Sequence, residues 1–315
     1  VKLRQLEALR AIAEAKSVHE AARRLFLTQP AISRSIRELE IELGVPLLTR
    51  SARGASLTPF AHQVLKRTQV VQREVGRILE DAAAARGELA GRLAVAVTPP
   101  AATRALADSL LELVAARPGV RPEIIEWRAE NIADGLADGT IDVGLFTQYR
   151  EPRTTAFEWV RLYELDVVLS IPATYGGKTT LSVAEIHALP WIVLDAPDDD
   201  AGFVATFFAS HGLPLPKQVL RCTSMNLYLD LAMRMEAVAV WTSLARPFLL
   251  ERERAGRVRL LEVDEALPRA GMYLAYASED LLTATAQDFI GRLSEKLANG
   301  ARERAPAGLV YSDVE

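Results

Sequence analysis

Residues 17–44 read SVHEAARRLFLTQPAISRSIRELEIELG, and the fold of the chain follows from them. Ser17 and Glu20 make an S-x-x-E capping box, whose hydroxyl and carboxylate satisfy the free amides of a helix start. The helix it opens is short, with Ala21, Ala22 and Leu25 as its packing face, and a tight break is expected at Phe26-Leu27. Thr28 then offers a second N-cap, with Gln29 and Pro30 in the first turn, where proline is tolerated. Ile32, Ile36, Leu39 and Leu43 recur at i, i+4, i+7 and i+11, one buried helical face. Gln29, Ser33, Arg34 and Arg37 occupy the opposite face, and Gly44 supplies a left-handed stop. Two helices joined by so short a turn, with small alanines at the crossing, read as a helix-turn-helix whose second helix enters a DNA groove. The competing reading is a helical hairpin in a bundle, with Arg34 and Arg37 merely solvated.

The flanks bear on that choice. Leu6, Leu9, Ile12 and Ala13 predict a further amphipathic helix upstream. Downstream, residues 45–50 and 55–58 are short extended runs around Ser51-Ala52-Arg53-Gly54, whose Arg-Gly corner predicts a hairpin tip. The unit is then a winged helix-turn-helix. Residues 6–65, with the core TQPAISRSIRELEIELG, resemble the DNA-binding domain of LysR-type transcriptional regulators. Departures fall at Ala61, where the family usually has glycine, and at Leu48, where it usually has phenylalanine; neither is a DNA-facing position. The candidate DNA contacts are Thr28, Gln29, Pro30, Ser33, Arg34 and Arg37 on the reading helix, with Arg50 and Arg53 on the wing. Arg53, at a hairpin tip without apolar neighbours, suits a phosphate or a narrow minor groove.

Thr58-Pro59 is a threonine cap followed by proline at the first helical position, opening a helix expected to reach about Arg86. Val64, Thr68, Val71, Val75, Ile78 and Ala82 follow one another by 4, 3, 4, 3 and 4 residues, an a/d seam. Such a stripe can pack on its own chain; in the resembled family this helix is a dimer helix. Val64, Val71, Val75 and Ile78 are therefore the candidate dimer interface. Gly87 and Gly91 are read as a hinge.

Beyond Arg92 the pattern becomes alternating strands and helices: strands at 92–98, 123–127 and 141–146, helices at 102–116 and 131–137, and a turn at Pro118-Gly119. This is a βαβαβ unit with a parallel sheet. A second set follows, with strands at 166–171, 191–194, 219–222 and 238–241 and helices near 183–187, 203–211 and 226–235. A strand at 271–277 and a helix at 284–297 close the pattern. The resemblance implies an α/β effector domain similar to periplasmic solute-binding proteins, with two lobes joined by crossovers near 162–164 and 265–268. The expected organisation is a winged helix-turn-helix (1–57), a linker and dimerisation helix (58–88) and an effector-binding domain (89–300). Its first lobe takes residues 92–162 and 269–297, its second 165–264, and a tail fills 301–315. Met235, Ala237 and Thr242 stand where the family has glycines and a proline.

Ligands of open α/β sheets sit at the carboxyl ends of strands, where helix amides attract anions. The corresponding turns make Thr98, Pro99, Pro100, Thr147, Gln148, Phe203, Thr223 and Ser224 the candidate effector site, with Tyr149 as a further wall. Thr98, Thr223 and Ser224 each have the plainer reading of helix caps. Both Thr98 and Ser224 are read as lying beside free helix-start amides, and few acceptors are evident, so a small organic anion is the expected effector.

Charge is divided unevenly. Residues 1–73 carry 13 Lys/Arg against 6 Asp/Glu, and residues 74–315 carry 24 against 35. A basic module on an acidic body is expected when only one part meets phosphate. No apolar run approaches the roughly 20 residues needed to span a bilayer, and no signal-peptide pattern precedes the first helix, so a cytoplasmic location is expected. The single cysteine, Cys222, excludes an internal disulfide and reads as a buried structural residue. No nucleophile elbow, Walker loop, dinucleotide fingerprint or H-E-x-x-H occurs, and Asp198-Asp199-Asp200 lacks metal-ligand spacing. No enzyme activity, metal or cofactor is expected. The resemblance implies a sequence-specific transcriptional regulator that binds an interrupted palindrome in double-stranded DNA as a dimer or tetramer. Its further partners would be a small effector and RNA polymerase. The alternative is a small-molecule-binding protein whose N-terminal module makes protein contacts.

Overall fold

The computed structural model describes residues 1–51, 54–88, 90–196 and 199–303. The chain forms two compact units, one built on residues 1–82 with Asp138–Thr140, the other on Ala83–Ala137 and the chain from Ile141 onward.

The first unit contains α1 (Leu3–Ala15), α2 (Val18–Arg24), α3 (Gln29–Leu43), the antiparallel pair β1 (Leu48–Ser51) and β2 (Gly54–Leu57), and the start of α4 (Pro59–Ala85). Ser17 Oγ accepts from the Glu20 amide and Thr28 Oγ1 from the Ala31 amide, each at 3.4 Å. Gly44 closes α3 at φ 70°. Between α2 and α3 the turn is made by Phe26 at φ 55°, an uncommon left-handed position for a bulky residue, with its side chain exposed. That turn lets α2 and α3 bury one shared core of Leu6, Leu9, Ile12, Ala21, Ile32, Ile36, Leu39 and Leu47.

The wing is tied to α3 by a contact invisible to local patterns. Glu40 Oε1 accepts from the Leu47 and Leu48 amides at 2.7 and 3.0 Å. Thr58 adds a second tie, its hydroxyl donating to Pro46 O at 2.9 Å and accepting from the Ala61 amide at 3.1 Å. The expected seam on α4 divides in two. Val64 packs against the core of its own unit and Thr68 is buried, its hydroxyl donating to Val64 O. Val71 and Ile78 are 40% and 65% exposed. Val64 thus serves its own chain's core, because the first turns of α4 lie on the helix-turn-helix.

The second unit is two α/β lobes. In chain order it contains β3 (Ala90–Val97), α5 (Arg104–Ala116), β4 (Gly119–Glu126), α6 (Ala129–Ala137), β5 (Val143–Gln148), β6 (Glu158–Leu165), β7 (Val167–Pro172) and β8 (Thr180–Leu181). There follow α7 (Val183–His187), β9 (Trp191–Val193), α8 (Phe203–Ser210), β10 (Val219–Arg221), α9 (Met225–Arg234), β11 (Val238–Thr242), α10 (Arg246–Arg254), β12 (Val258–Val263), β13 (Ala270–Tyr276) and α11 (Ala284–Glu303). The first sheet has the order β4-β3-β5-β13-β6 and the second β10-β9-β11-β7-β12-β8. The βαβαβ core is parallel, β3 pairing with both β4 and β5.

Several expectations are corrected. The crossover placed near 162–164 lies inside β6, a strand with no counterpart in the sequence reading; the chain passes between sheets at Asp166 instead. As an edge strand, β6 mixes Glu and Arg with its apolar residues, which hides its alternation. The sheets are mixed, because β13 runs antiparallel to β5 and β6, and β7 antiparallel to β11 and β12. Gly91 lies within β3 and Gly119 begins β4, so neither is a hinge or turn residue. The elements α10 and β12 were not foreseen, and α11 runs past the expected start of the tail to Glu303. Arg269, on the second crossover, donates to Asp166 at 3.0 Å and to Glu164 at 3.3 Å, binding the two crossings together.

Removing the Glu40 carboxylate leaves two half-buried wing amides without their acceptor. Glu40→Ala should destabilise the first unit by about 1.5–3 kcal/mol in urea denaturation, with faster amide exchange at Leu47 and Leu48. Glu40→Gln, which keeps a carbonyl acceptor, should recover part of the loss.

Candidate functional site

On α3, burial of Ile32, Ile36 and Leu39 turns the other face to solvent. Thr28, Gln29, Pro30, Ser33, Arg34 and Arg37 are all exposed. Neither Arg34 nor Arg37 makes an ion pair among the described residues. The Thr28 hydroxyl is occupied as the cap, leaving Ser33 and the two guanidinium groups as free polar ends. Arg50 lies on β1, and Arg53 falls outside the described residues.

The lobes enclose a polar chamber of about 220 Å³. Of the sequence candidates, Thr98, Pro99, Pro100, Thr147, Gln148 and Thr223 line it. Ser224 lines neither this chamber nor the larger one beside it; its hydroxyl accepts from the Leu227 amide at 3.5 Å, the plainer role of a cap. Phe203 is buried in the core of the second lobe, stacked on Phe207, and its Tyr149-facing side walls the larger chamber.

At Thr98 and along the chamber wall, the premises behind an anionic effector fail. Pro99 and Pro100 have no N–H, and the Ala101 amide already bonds Thr98 O at 2.8 Å, so no free helix-start amides stand beside Thr98. The Thr98 hydroxyl accepts from the Thr147 amide at 3.3 Å and pins β3 to β5 instead of capping a helix. Acceptors, moreover, are plentiful: Glu126, Glu130, Asp195 and Asp199 line the chamber with Arg128 and Arg221. The sequence places the turn from Asp195 to Gly202 at the site but singles out none of the six as a contact. They stand at or beyond the ends of β4, β9 and β10, Glu130 in the first turn of α6, where the strand-end rule applies as it does to Thr98; a lone charge there has no local signal that separates a cavity wall from a solvated surface.

Both arginines converge on one carboxylate, Arg128 at 2.9 Å and Arg221 at 3.3 Å from Glu130, the latter across the cleft. Asp195 has no ion pair among the described residues; burial above all, then the charges of Asp199 and Glu130, push its pKa up to about 6. Among the described residues, Arg221 Nε and Gln148 Oε1 are buried without hydrogen-bond partners. Cys222 is buried beside this wall, its thiol directed at Ser224 O. Among the described residues no three metal-ligating side chains come together.

Residues 3–62 match the family model described as "Bacterial regulatory helix-turn-helix protein, lysR family", and residues 86–298 match "LysR substrate binding domain". The chain belongs to the LysR family. Among similar proteins, the HTH-type transcriptional regulator TcbR of Pseudomonas sp. (strain P51) is 33% identical over 192 residues, 60% of this chain and 64% of that protein. The small neutral protease regulatory protein of Streptomyces coelicolor is 38% identical over 144 residues, 45% of this chain and 42% of that protein. The chain thus spans less than two thirds of these relatives' length. Among solved structures, CbnR complexed with its target DNA superimposes with a TM-score of 0.63 at 24% identity, covering 94% of this chain and 100% of that one. Full-length OxyR C199D from Pseudomonas aeruginosa gives 0.60 at 18% identity, covering 94% of each chain. Those likenesses concern the fold: a helix-turn-helix unit followed by a two-lobed α/β domain.

The raised pKa of Asp195 has a consequence for stability. A carboxyl with a folded-state pKa above its ordinary value favours the folded protein at low pH, and that contribution is lost as pH rises through about 6. Asp195→Asn should therefore stabilise the ligand-free protein by about 2–3 kcal/mol at pH 7.5 and leave stability near pH 4 almost unchanged. Urea denaturation at the two pH values reads the difference.

Proposed function

We propose that this chain is a cytoplasmic, non-enzymatic transcriptional regulator that reads an interrupted palindrome as a homo-oligomer and answers to a small organic effector. The bare polar face of α3, on a strongly basic unit, carries the proposal. A helix-turn-helix reads base edges with the N-terminal half of its second helix, where Pro30, Ser33 and Arg34 stand exposed. Arg37 and the wing arginines Arg50 and Arg53 would hold phosphates, a positioning role without sequence information. The effector would occupy the chamber between the lobes at Thr98, Pro99, Pro100, Thr147, Gln148 and Thr223. Its binding would alter how the paired readers meet DNA, and with it DNA bending and access of RNA polymerase.

Pairing would use the outer half of α4. Val71 and Ile78 share a face and are exposed, and Val75 between them is half-buried. A valine and an isoleucine so placed gain from burial against a second chain.

Two outcomes are expected. In mobility shifts with DNA from upstream of the neighbouring gene, Ser33→Ala and Arg34→Ala should each weaken specific binding by about 1–3 kcal/mol and relax sequence preference. Equal binding of operator and random DNA by wild type and both variants would remove α3 as the reader. Ile78→Asp should shift the protein to smaller species in sedimentation, since burying a carboxylate without a partner costs several kcal/mol. An unchanged oligomer would place pairing elsewhere.

A further inference from the structure

The polar chamber is built for positive charge. Four carboxylates and two guanidinium groups line it among the described residues, and both guanidinium groups are engaged by Glu130 alone. Glu126, Asp195 and Asp199 are left without an ion pair among those residues. Asp199 accepts from the Ala201 amide at 3.0 Å and Asp195 from the Phe203 amide, so each keeps acceptor capacity. Gln148 adds a buried side-chain carbonyl oxygen with no partner among the described residues. An entering carboxylate would meet this wall unfavourably and would find no free amide at Pro99 or Pro100. A protonated amine carries donors and the complementary charge.

The adjoining chamber supplies the rest of the ligand. It measures about 1010 Å³ and shares Pro99, Pro100, Thr147, Leu194 and Asp195 with the polar one. Its walls include Tyr149, Phe203, Met225, Leu229, Trp241 and Phe248. The basic groups on its lining are occupied, Arg104 by Asp108 and Lys296 by Glu112. Asp195 is thus an unpaired charge at the junction of a polar and an apolar cavity, an arrangement that matches a cationic head on an apolar body.

Resting on the regulator reading above, we infer that the effector is an arylalkylamine, its ammonium held by Asp195, Asp199 and Gln148 and its apolar body in the larger chamber. Affinity then depends on ionised Asp195. The groups facing that carboxyl are Asp199 on its own loop, Glu130 of α6, Arg221 of β10, and the phenols of Tyr149 and Tyr228. Its pKa of about 6 makes binding strengthen between pH 5 and 7.5.

Calorimetry on the full chain tests this with phenethylamine, 3-phenylpropionate (a comparable body bearing a carboxylate) and methylamine (the head alone). Phenethylamine should bind at least tenfold tighter than either of the others. Asp195→Asn should lose at least tenfold in phenethylamine affinity and its pH dependence, while urea denaturation shows the variant folded. Leu229→Trp, which fills the apolar chamber, should weaken phenethylamine and spare methylamine. Tighter binding of 3-phenylpropionate overturns the ligand class, and undiminished affinity in Asp195→Asn overturns the site. Heat from none of the three compounds overturns the inference. A mobility shift on the same preparation separates the two levels: if operator is still bound, only the amine proposal falls, and if it is not, the regulator reading falls with it.

Discussion

Burial of Ile32, Ile36 and Leu39 in one core with Leu9, Ile12 and Ala21 is the constraint on which the N-terminal unit depends. A helix with 3.6 residues per turn cannot bury that stripe without turning Gln29, Ser33, Arg34 and Arg37 to solvent. The reading residues contribute nothing to the core, which leaves their chemistry free to suit nucleic acid. The same helix fixes the wing, since Glu40 holds the amides of Leu47 and Leu48 at the foot of β1. Stability and the candidate DNA surface therefore share one element. Their separation around its axis lets α3 serve both.

The cleft follows a different logic. Its polar groups are drawn partly out of water, and their pairing is incomplete among the described residues: Glu130 takes both arginines, while Asp195 has no ion pair and Gln148 Oε1 no partner. Such incomplete pairing costs stability in the free protein, a common mark of a site kept for a ligand. The Arg221–Glu130 contact crosses the cleft, but the Glu130 side chain is 49% exposed and an ion pair so solvated is worth about 0–1 kcal/mol. Two covalent crossings, clamped by Arg269 on Asp166 and Glu164, hold the lobes more firmly.

Much of this was legible in the sequence where the signal is local and periodic. The caps at Ser17 and Thr28, the stripe on α3, the stop at Gly44 and the parallel order of β3, β4 and β5 all follow from residues a few positions apart. What escaped the reading depends on partners distant in sequence. Glu40 carries no local signal of its role, and Val64 fits a regular seam, because their neighbours come from other elements. β6 was hidden by the charges an edge strand tolerates. In the cleft, hydroxyls at Thr98 and Ser224 attracted attention because helix caps have a sequence signature. Arg128, Asp195 and Arg221 have none, since a charge at or beyond a strand end reads the same whether it faces water or a cavity.

The central claim is that the exposed face of α3, duplicated by pairing, reads DNA. Hydroxyl-radical footprinting of the full chain on DNA upstream of the neighbouring gene tests it most directly. Two readers on a two-fold axis should protect two separate segments of opposite polarity, their centres spaced by a multiple of about 10 base pairs and flanking an unprotected gap. Protection should fade steeply with added salt, as expected when several arginines displace counterions from phosphates. A single unbroken patch, or protection indifferent to salt, would contradict the account.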